Sequence, residues 1–227
     1  RAYGSFPHPN IFGGWMAFAA LVSVRAFLAA SGRAVWRWGA LGALFASALA
    51  VSFSRSAWLA FAAGLSVLGL QAWRGAALKR WLACAGLLLL PFLGLGLARP
   101  EFFVARLGVQ GRLETRSVDE RQAALRQGWE VVQAFPLGTG FQAYRLGLER
   151  ACVSWRCPAP AEPPHFVPLL ALAELGWARV TCILALGFFA LRRLQKGKLQ
   201  SFFNEVSVSL AILAAFDHYA WSLWAGQ

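Results

Sequence analysis

His165 follows Pro163 and Pro164 at the point where a long polar stretch, Arg99 to His165, gives way to an apolar run. An imidazole with an ordinary pKa near 6.5 takes up a proton at physiological pH, so His165 is either a wet interfacial side chain or a general base. Two arginines stand where an anion would be held. Arg55 lies in Phe53-Ser-Arg-Ser-Ala57, a turn too short to be a domain and wedged between two apolar runs. It is either an anchor that snorkels to the membrane interface or an anion clamp facing a cavity on the outer side. Arg121 stands just inside a helix that Ser117-Val-Asp-Glu120, a capping-box pattern, is expected to open and that runs to about Ala134. There it shares a stripe with Leu125, Gly128 and Val132, so it either points at the helix's packing surface, beside N–H groups that favour an anion, or pairs in water with Asp119 or Glu120.

The other polar residues fall around these three. His8, in Pro7-His-Pro9, is either part of a rigid lead-in to the first apolar run or a substrate contact. Arg179, near the middle of the fifth run, needs a partner inside a helical bundle, and Asp217 of the sixth run lies at a similar depth. Glu174 sits nearer the outer face and is expected to line the cavity, while Asp217 and His218 are candidates for supporting His165. Cys152 and Cys157 are close enough in sequence for a local disulfide, the alternative being two free thiols; Cys84 and Cys182 lie within spans as packing residues. No second close ligand pair completes a zinc site, and no Asp-x-Asp or comparable carboxylate cluster lies on the outer side, so neither metal nor cofactor is expected. Pro136-Leu-Gly-Thr-Gly140 reads as a turn that brings the chain back toward the membrane surface. It is not a phosphate loop, because no lysine follows its last glycine and no strand precedes it.

The elements that must position these residues are membrane helices. With 58% hydrophobic residues, 14% charged and a mean hydropathy of +0.52, the chain reads as an all-α polytopic membrane protein. Its apolar runs are roughly Ile11 to Ala30, Trp38 to Phe53, Ser56 to Leu70, Trp81 to Leu97, Phe166 to Leu191 and Phe202 to Trp224. That predicts about six transmembrane helices: four over residues 11–97 after a short outer motif at 1–10, one large periplasmic helical loop domain at 98–165, and two spans at 166–227. The second and third runs are short, so they are either helices under mismatch or a re-entrant pair. The net charge of +12 does not indicate nucleic acid, because the cations cluster between apolar runs. Arg25, Arg33 and Arg37, then Arg74, Lys79 and Arg80, then Arg192, Arg193, Lys196 and Lys198 lie in alternate connections free of acids, which places those connections in the cytoplasm. The outer side then holds arginine as its cation throughout, a residue that grips phosphate oxygens bidentately, although a chain this rich in arginine could show the same bias everywhere. The chain begins with Arg1 and is read as a fragment of a longer protein.

Taken in order, Arg1-x-x-Gly-x-Phe-x-His-Pro-Asn10, Ser54-Arg55, Glu120-Arg121, Pro136-Leu-Gly-x-Gly140-Phe, Pro164-His165 with Gly176 beyond it, and Asp217-His218-Tyr219 resemble the O-antigen ligase and polymerase family over essentially the whole chain, as that family's C-terminal core. The sequence departs from the pattern at Phe166, where a small polar residue is usual. The resemblance implies a glycosyltransferase of the bacterial inner membrane whose active face is periplasmic. Its donor is a glycan on undecaprenyl diphosphate and its acceptor a hydroxyl of lipid A-core, of a glycan or of a protein, with membrane lipids as surroundings. It implies His165 as catalytic residue, Arg55 and Arg121 as diphosphate ligands, and Arg1 and His8 as further substrate contacts. A repeat-unit polymerase and a protein O-oligosaccharyltransferase share these features. A transporter or flippase for lipid-linked glycans is the alternative of another class, but no convincing internal repeat supports it.

Overall fold

The computed structural model describes residues 4–73, 77–101, 112–151, 163–194 and 200–216. Arg1, Cys152, Cys157, Asp217 and His218 lie outside them. The described residues form eight helices and no strand: α1 (Pro9–Ala29), α2 (Arg33–Ser52), α3 (Arg55–Trp73), α4 (Leu78–Ala98), α5 (Arg112–Ala134), α6 (Tyr144–Ala151), α7 (Val167–Leu194) and α8 (Gln200–Phe216). Five of them, α1 to α4 and α7, are long and apolar enough to cross a membrane. The protein is an all-α polytopic membrane protein. The expected sixth span is described as α8 over 17 residues, and the rest of that run lies outside the described residues.

The second and third runs are full-length helices of 20 and 19 residues, so the re-entrant alternative is not what forms. The apolar runs understate both because Arg33, Trp36 and Arg37 belong to the first turns of α2, and Trp73 to the last of α3. Cations and tryptophans at helix ends are ordinary where a helix meets the membrane interface.

Two compact units are present. The first holds α1 to α4 with α8 as far as Leu213. Its core is built from Leu21, Val24, Leu49, Phe61, Leu68 and Leu88, and its helices approach closely through small residues. At Gly13 of α1 an added Cβ would come within 3.0 Å of Ser52, Ser54 and Ala57, and Ser209 of α8 donates to the Ala60 carbonyl at 3.0 Å. In lipid such contacts replace the hydrophobic drive available in water. At one end of this unit Arg80 Nη2 donates to the Phe27 and Ala30 carbonyls at 2.7 Å each, closing the C-terminus of α1, and its guanidinium lies over the Phe27 ring.

The second unit holds α5, α6 and α7. Val131, Val132, Tyr144, Leu148, Leu169, Leu170 and Ala173 form its core. Ser117 does not open α5: the helix starts at Arg112, so the capping-box pattern lies inside it and Arg121 is not at a helix N-terminus. Of the expected stripe Gly128 and Val132 are buried, together with Ala124 and Val131, while Leu125 and Arg121 are exposed.

Candidate functional site

α7 is not one helix. Gly176 has φ 75° and ψ 168°, a backbone region that essentially only glycine occupies, and the helix breaks there. The turn at Pro136-Leu-Gly-Thr-Gly140 occupies the break. Thr139 N–H donates to the Ala173 carbonyl and Gly140 N–H to the Glu174 carbonyl, both at 2.9 Å, while Trp177 N–H donates to the Pro136 carbonyl at 3.1 Å. Groups freed by interrupting the helix are thus satisfied by a second piece of backbone, as burial requires. Glycine is needed on both sides, because a Cβ on Gly138 would stand 2.6 Å from Gly176 N and one on Gly176 equally close to Gly138 N. Two charged side chains secure the junction. Glu174 is buried, and its carboxylate accepts the Gln142 N–H at 3.0 Å; Arg179 Nη1 donates to the carbonyls of Leu137 at 2.9 Å and Leu175 at 3.1 Å.

His165 stands in a bend immediately before α7. Pro164 is fully buried against Gly128 of α5, where an added Cβ would lie 3.1 Å from Pro164 Cγ and 2.9 Å from Leu169 Cδ2. The Phe166 carbonyl accepts the N–H groups of Leu169 and Leu170 at 3.1 and 3.2 Å, and Pro168 stands in the first turn of α7, where its missing N–H costs nothing. The backbone around His165 is therefore held on one side by a proline seated on α5 and on the other by the start of α7. The ring is half-buried, with Nδ1 shielded from solvent. Behind this region Tyr144 is buried with its hydroxyl lacking a hydrogen-bond partner among the described residues. Burial, together with the nearby Glu130 carboxylate, pushes that phenol well above the ordinary tyrosine range.

Arg121 shares the second unit with His165. It lies seven residues before Gly128, two turns or about 10 Å along α5 on nearly the same face, with its side chain exposed. Arg55 belongs to the first unit, as the first residue of α3, and is exposed. Ser54 caps that helix by accepting the Ala57 N–H at 3.4 Å, and Ser52 and Ser56 complete a buried hydroxyl group around it. A guanidinium at a helix N-terminus adds to the positive end of the helix dipole, so this turn favours an anion. His8 caps α1, its Nδ1 accepting the Asn10 N–H at 3.1 Å, which is the structural one of the two roles read for it. Arg179 is exposed and closes the α7 break; the expected partner, Asp217, lies outside the described residues.

Three features were not anticipated from sequence: the break at Gly176, the Tyr144 hydroxyl without a partner among the described residues, and the buried cluster that Ser52, Ser54 and Ser56 form beside Arg55. The first and third had signals, a glycine in a predicted span flanked by Glu174 and Arg179, and three serines at alternate positions. No group of three or more His, Cys, Asp or Glu side chains able to hold a metal occurs among the described residues. The second unit offers one imidazole on a fixed backbone and the exposed guanidinium of Arg121, groups able to take a proton from a hydroxyl and to stabilise an anion. No curated protein and no solved structure matches the chain. A family model described as O-antigen ligase matches residues 40–184, more than half of the sequence and the stretch that contains Arg55, Arg121, the turn, His165 and the α7 break, and the chain belongs to that family of membrane glycosyltransferases.

Proposed function

We propose that this protein transfers a glycan from undecaprenyl diphosphate to an acceptor hydroxyl on the periplasmic face of the bacterial inner membrane, the acceptor being lipid A-core or, in a close variant of the same reaction, another glycan or a protein. The acceptor oxygen attacks the anomeric carbon, the bond from that carbon to the diphosphate oxygen breaks, and undecaprenyl diphosphate leaves with the electron pair. His165 takes the acceptor's proton, on Nε2 because Nδ1 is turned away from solvent. Arg55 and Arg121 neutralise the charge that grows on the departing diphosphate. Arg1 and His8 are assigned to the substrate's surroundings, Glu174, Asp217 and His218 to support of the site, and Cys152 with Cys157 to a disulfide that pins the approach to His165. The loop domain is placed at 98–165, between spans.

The observation that carries this reading is the seating of His165. Pro164 rests on Gly128, so the imidazole is fixed to the same helix that bears Arg121. Orientation is supported by the charges of the first unit: Arg33 and Arg37 at the start of α2 and Lys79 and Arg80 at the start of α4 mark one end, which the positive-inside rule assigns to the cytoplasm, and Arg55 is at the start of α3, the opposite end.

The test is transfer of a labelled glycan from undecaprenyl diphosphate in detergent, with and without chelator, by the wild type, His165→Ala, Arg55→Ala and Arg121→Ala. Loss of the base is expected to lower kcat by about a hundred- to ten-thousandfold. Turnover that survives His165→Ala removes the proposed base, and turnover abolished by chelator shows that a metal shares the arginines' role.

A further inference from the structure

Every position of α7 before the break except Pro168 is at least half-buried, and Leu169, Leu170, Ala173 and Glu174 are buried. After the break the exposure reverses. From Trp177 to Phe189 all positions but Val180 are exposed, on every side of the helix. The segment from Trp177 to Leu194 rises about 27 Å, close to the thickness of a hydrocarbon core, and ends at Arg192 and Arg193. Its first turn carries Trp177, a residue type favoured at the membrane interface. Arg179 sends its guanidinium back toward the helix N-terminus, as helical side chains do, to reach the break. Three independent markers therefore put the lipid interface at Gly176.

The Pro136-Leu-Gly-Thr-Gly140 turn is bound at that same level by the hydrogen bonds to Ala173, Glu174, Trp177 and Arg179. Thr139 packs inward, against Gly147 and with its hydroxyl on the Ala173 carbonyl, whereas the large apolar side chains point out. Leu137 is 76% exposed and Phe141, just beyond it, 59%. In water such a pair on a polar loop is unfavourable, and here it sits beside the first exposed turn of a membrane helix.

We propose that this turn is an interfacial foot: Leu137 and Phe141 enter the outer edge of the phospholipid leaflet alongside Trp177, and Arg179 turns its remaining N–H donors to lipid phosphates. The foot fixes the depth at which the second unit meets the membrane. This inference rests on α7 as a membrane span and not on the transfer reaction, so either can fail alone.

The test places one fluorescent label on the full chain, with its native cysteines replaced, at Leu137→Cys, and reconstitutes it in phospholipid nanodiscs. A phospholipid carrying a nitroxide at the top of its acyl chain is expected to quench the label, and aqueous acrylamide to leave it bright. Leu184→Cys, in the exposed stretch of α7, and Gln122→Cys, on the exposed side of α5, set the lipid and water limits. Phe141→Cys repeats the measurement should Leu137→Cys misfold. Quenching like that of Gln122→Cys overturns the proposal, and so does shielding from both quenchers, which would mean that protein covers the turn.

Discussion

Gly176→Ala is the most demanding test of the α7 break. The native φ and ψ lie where a side chain costs about 1–3 kcal/mol in backbone strain alone. The new Cβ would also stand 2.6 Å from Gly138 N and from the Leu137 carbonyl oxygen, and backbone on the far side cannot rotate away as a side chain would. Separating the turn from the break sacrifices the bonds from Thr139 and Gly140 to α7 and from Trp177 to Pro136. At roughly 1 kcal/mol net for each bond, the sum with the strain is about 4–6 kcal/mol, at the far end of what single substitutions do. For a chain of this size that lowers Tm by on the order of 10 °C. Thermal unfolding in detergent followed by tryptophan fluorescence reads it, since Trp177 adjoins the junction. Gly187→Ala is the matched control: it lies in the exposed part of α7 with open space around its Cβ, and helix propensity predicts no change or a gain of up to about 1 kcal/mol. A Gly176→Ala protein that melts with the wild type, or above it, refutes the account of the break.

Three further outcomes follow from single contacts. Gly128→Val drives a side chain into Pro164 and Leu169, so it is expected to cost about 1–3 kcal/mol by overpacking and to lower kcat in the transfer assay by displacing His165. Tyr144→Phe removes a buried hydroxyl without a partner among the described residues and is expected to raise stability by about 1 kcal/mol or more in the same melts. The native Tyr144 binds its proton more tightly folded than unfolded, so its contribution is fully present below the ordinary tyrosine pKa of about 10 and is lost as pH rises beyond it; melts of the phenylalanine variant should lack that share of the alkaline decline. His8→Ala deletes the α1 cap and is expected to cost about 1 kcal/mol and to lower turnover in the transfer assay; turnover retained would leave His8 the cap alone and remove it from the substrate's surroundings.

The sequence made the helical membrane architecture legible because hydropathy over some twenty residues is a strong signal that depends on no tertiary contact. Helix ends were harder. Arg33 and Trp36 look like loop by hydropathy, yet the backbone stays helical around them, because long cationic and aromatic side chains reach the interface without unwinding it. The capping-box pattern at Ser117 misled for the opposite reason: local side-chain preference is weak, and α5 continues through it to Arg112. His165 and the turn at Pro136 could be picked out by chemistry and by glycine spacing. Their joint role could not, since it rests on backbone bonds between Thr139 and Ala173 that no periodicity announces. Glu174 shows the same gap. From sequence it lines a cavity; in the fold its carboxylate holds the Gln142 N–H.

The break also bears on how the proposed base reaches its substrate. Were α7 straight, the segment from Val167 to Leu175 would rise about 13 Å, and His165 would stand roughly 15 Å above Gly176 along the axis of the membrane helix. The headgroup layer that holds a lipid's phosphates is only about 5–8 Å deep on each side. In the proposed donor the reacting sugar is attached directly to the diphosphate, so a base raised that far would miss the anomeric carbon. A non-helical residue at Gly176 lets the first segment leave the span's axis and lie closer to the surface, and the Pro136–Gly140 turn satisfies the backbone that this bend exposes. A Gly176→Ala protein trapped as a continuous helix should therefore lose kcat, and because Arg121 lies on the helix to which Pro164 fixes His165, its hold on the lipid donor should weaken as well. Full turnover by a straightened α7 would show that the height of His165 above the membrane does not limit the reaction.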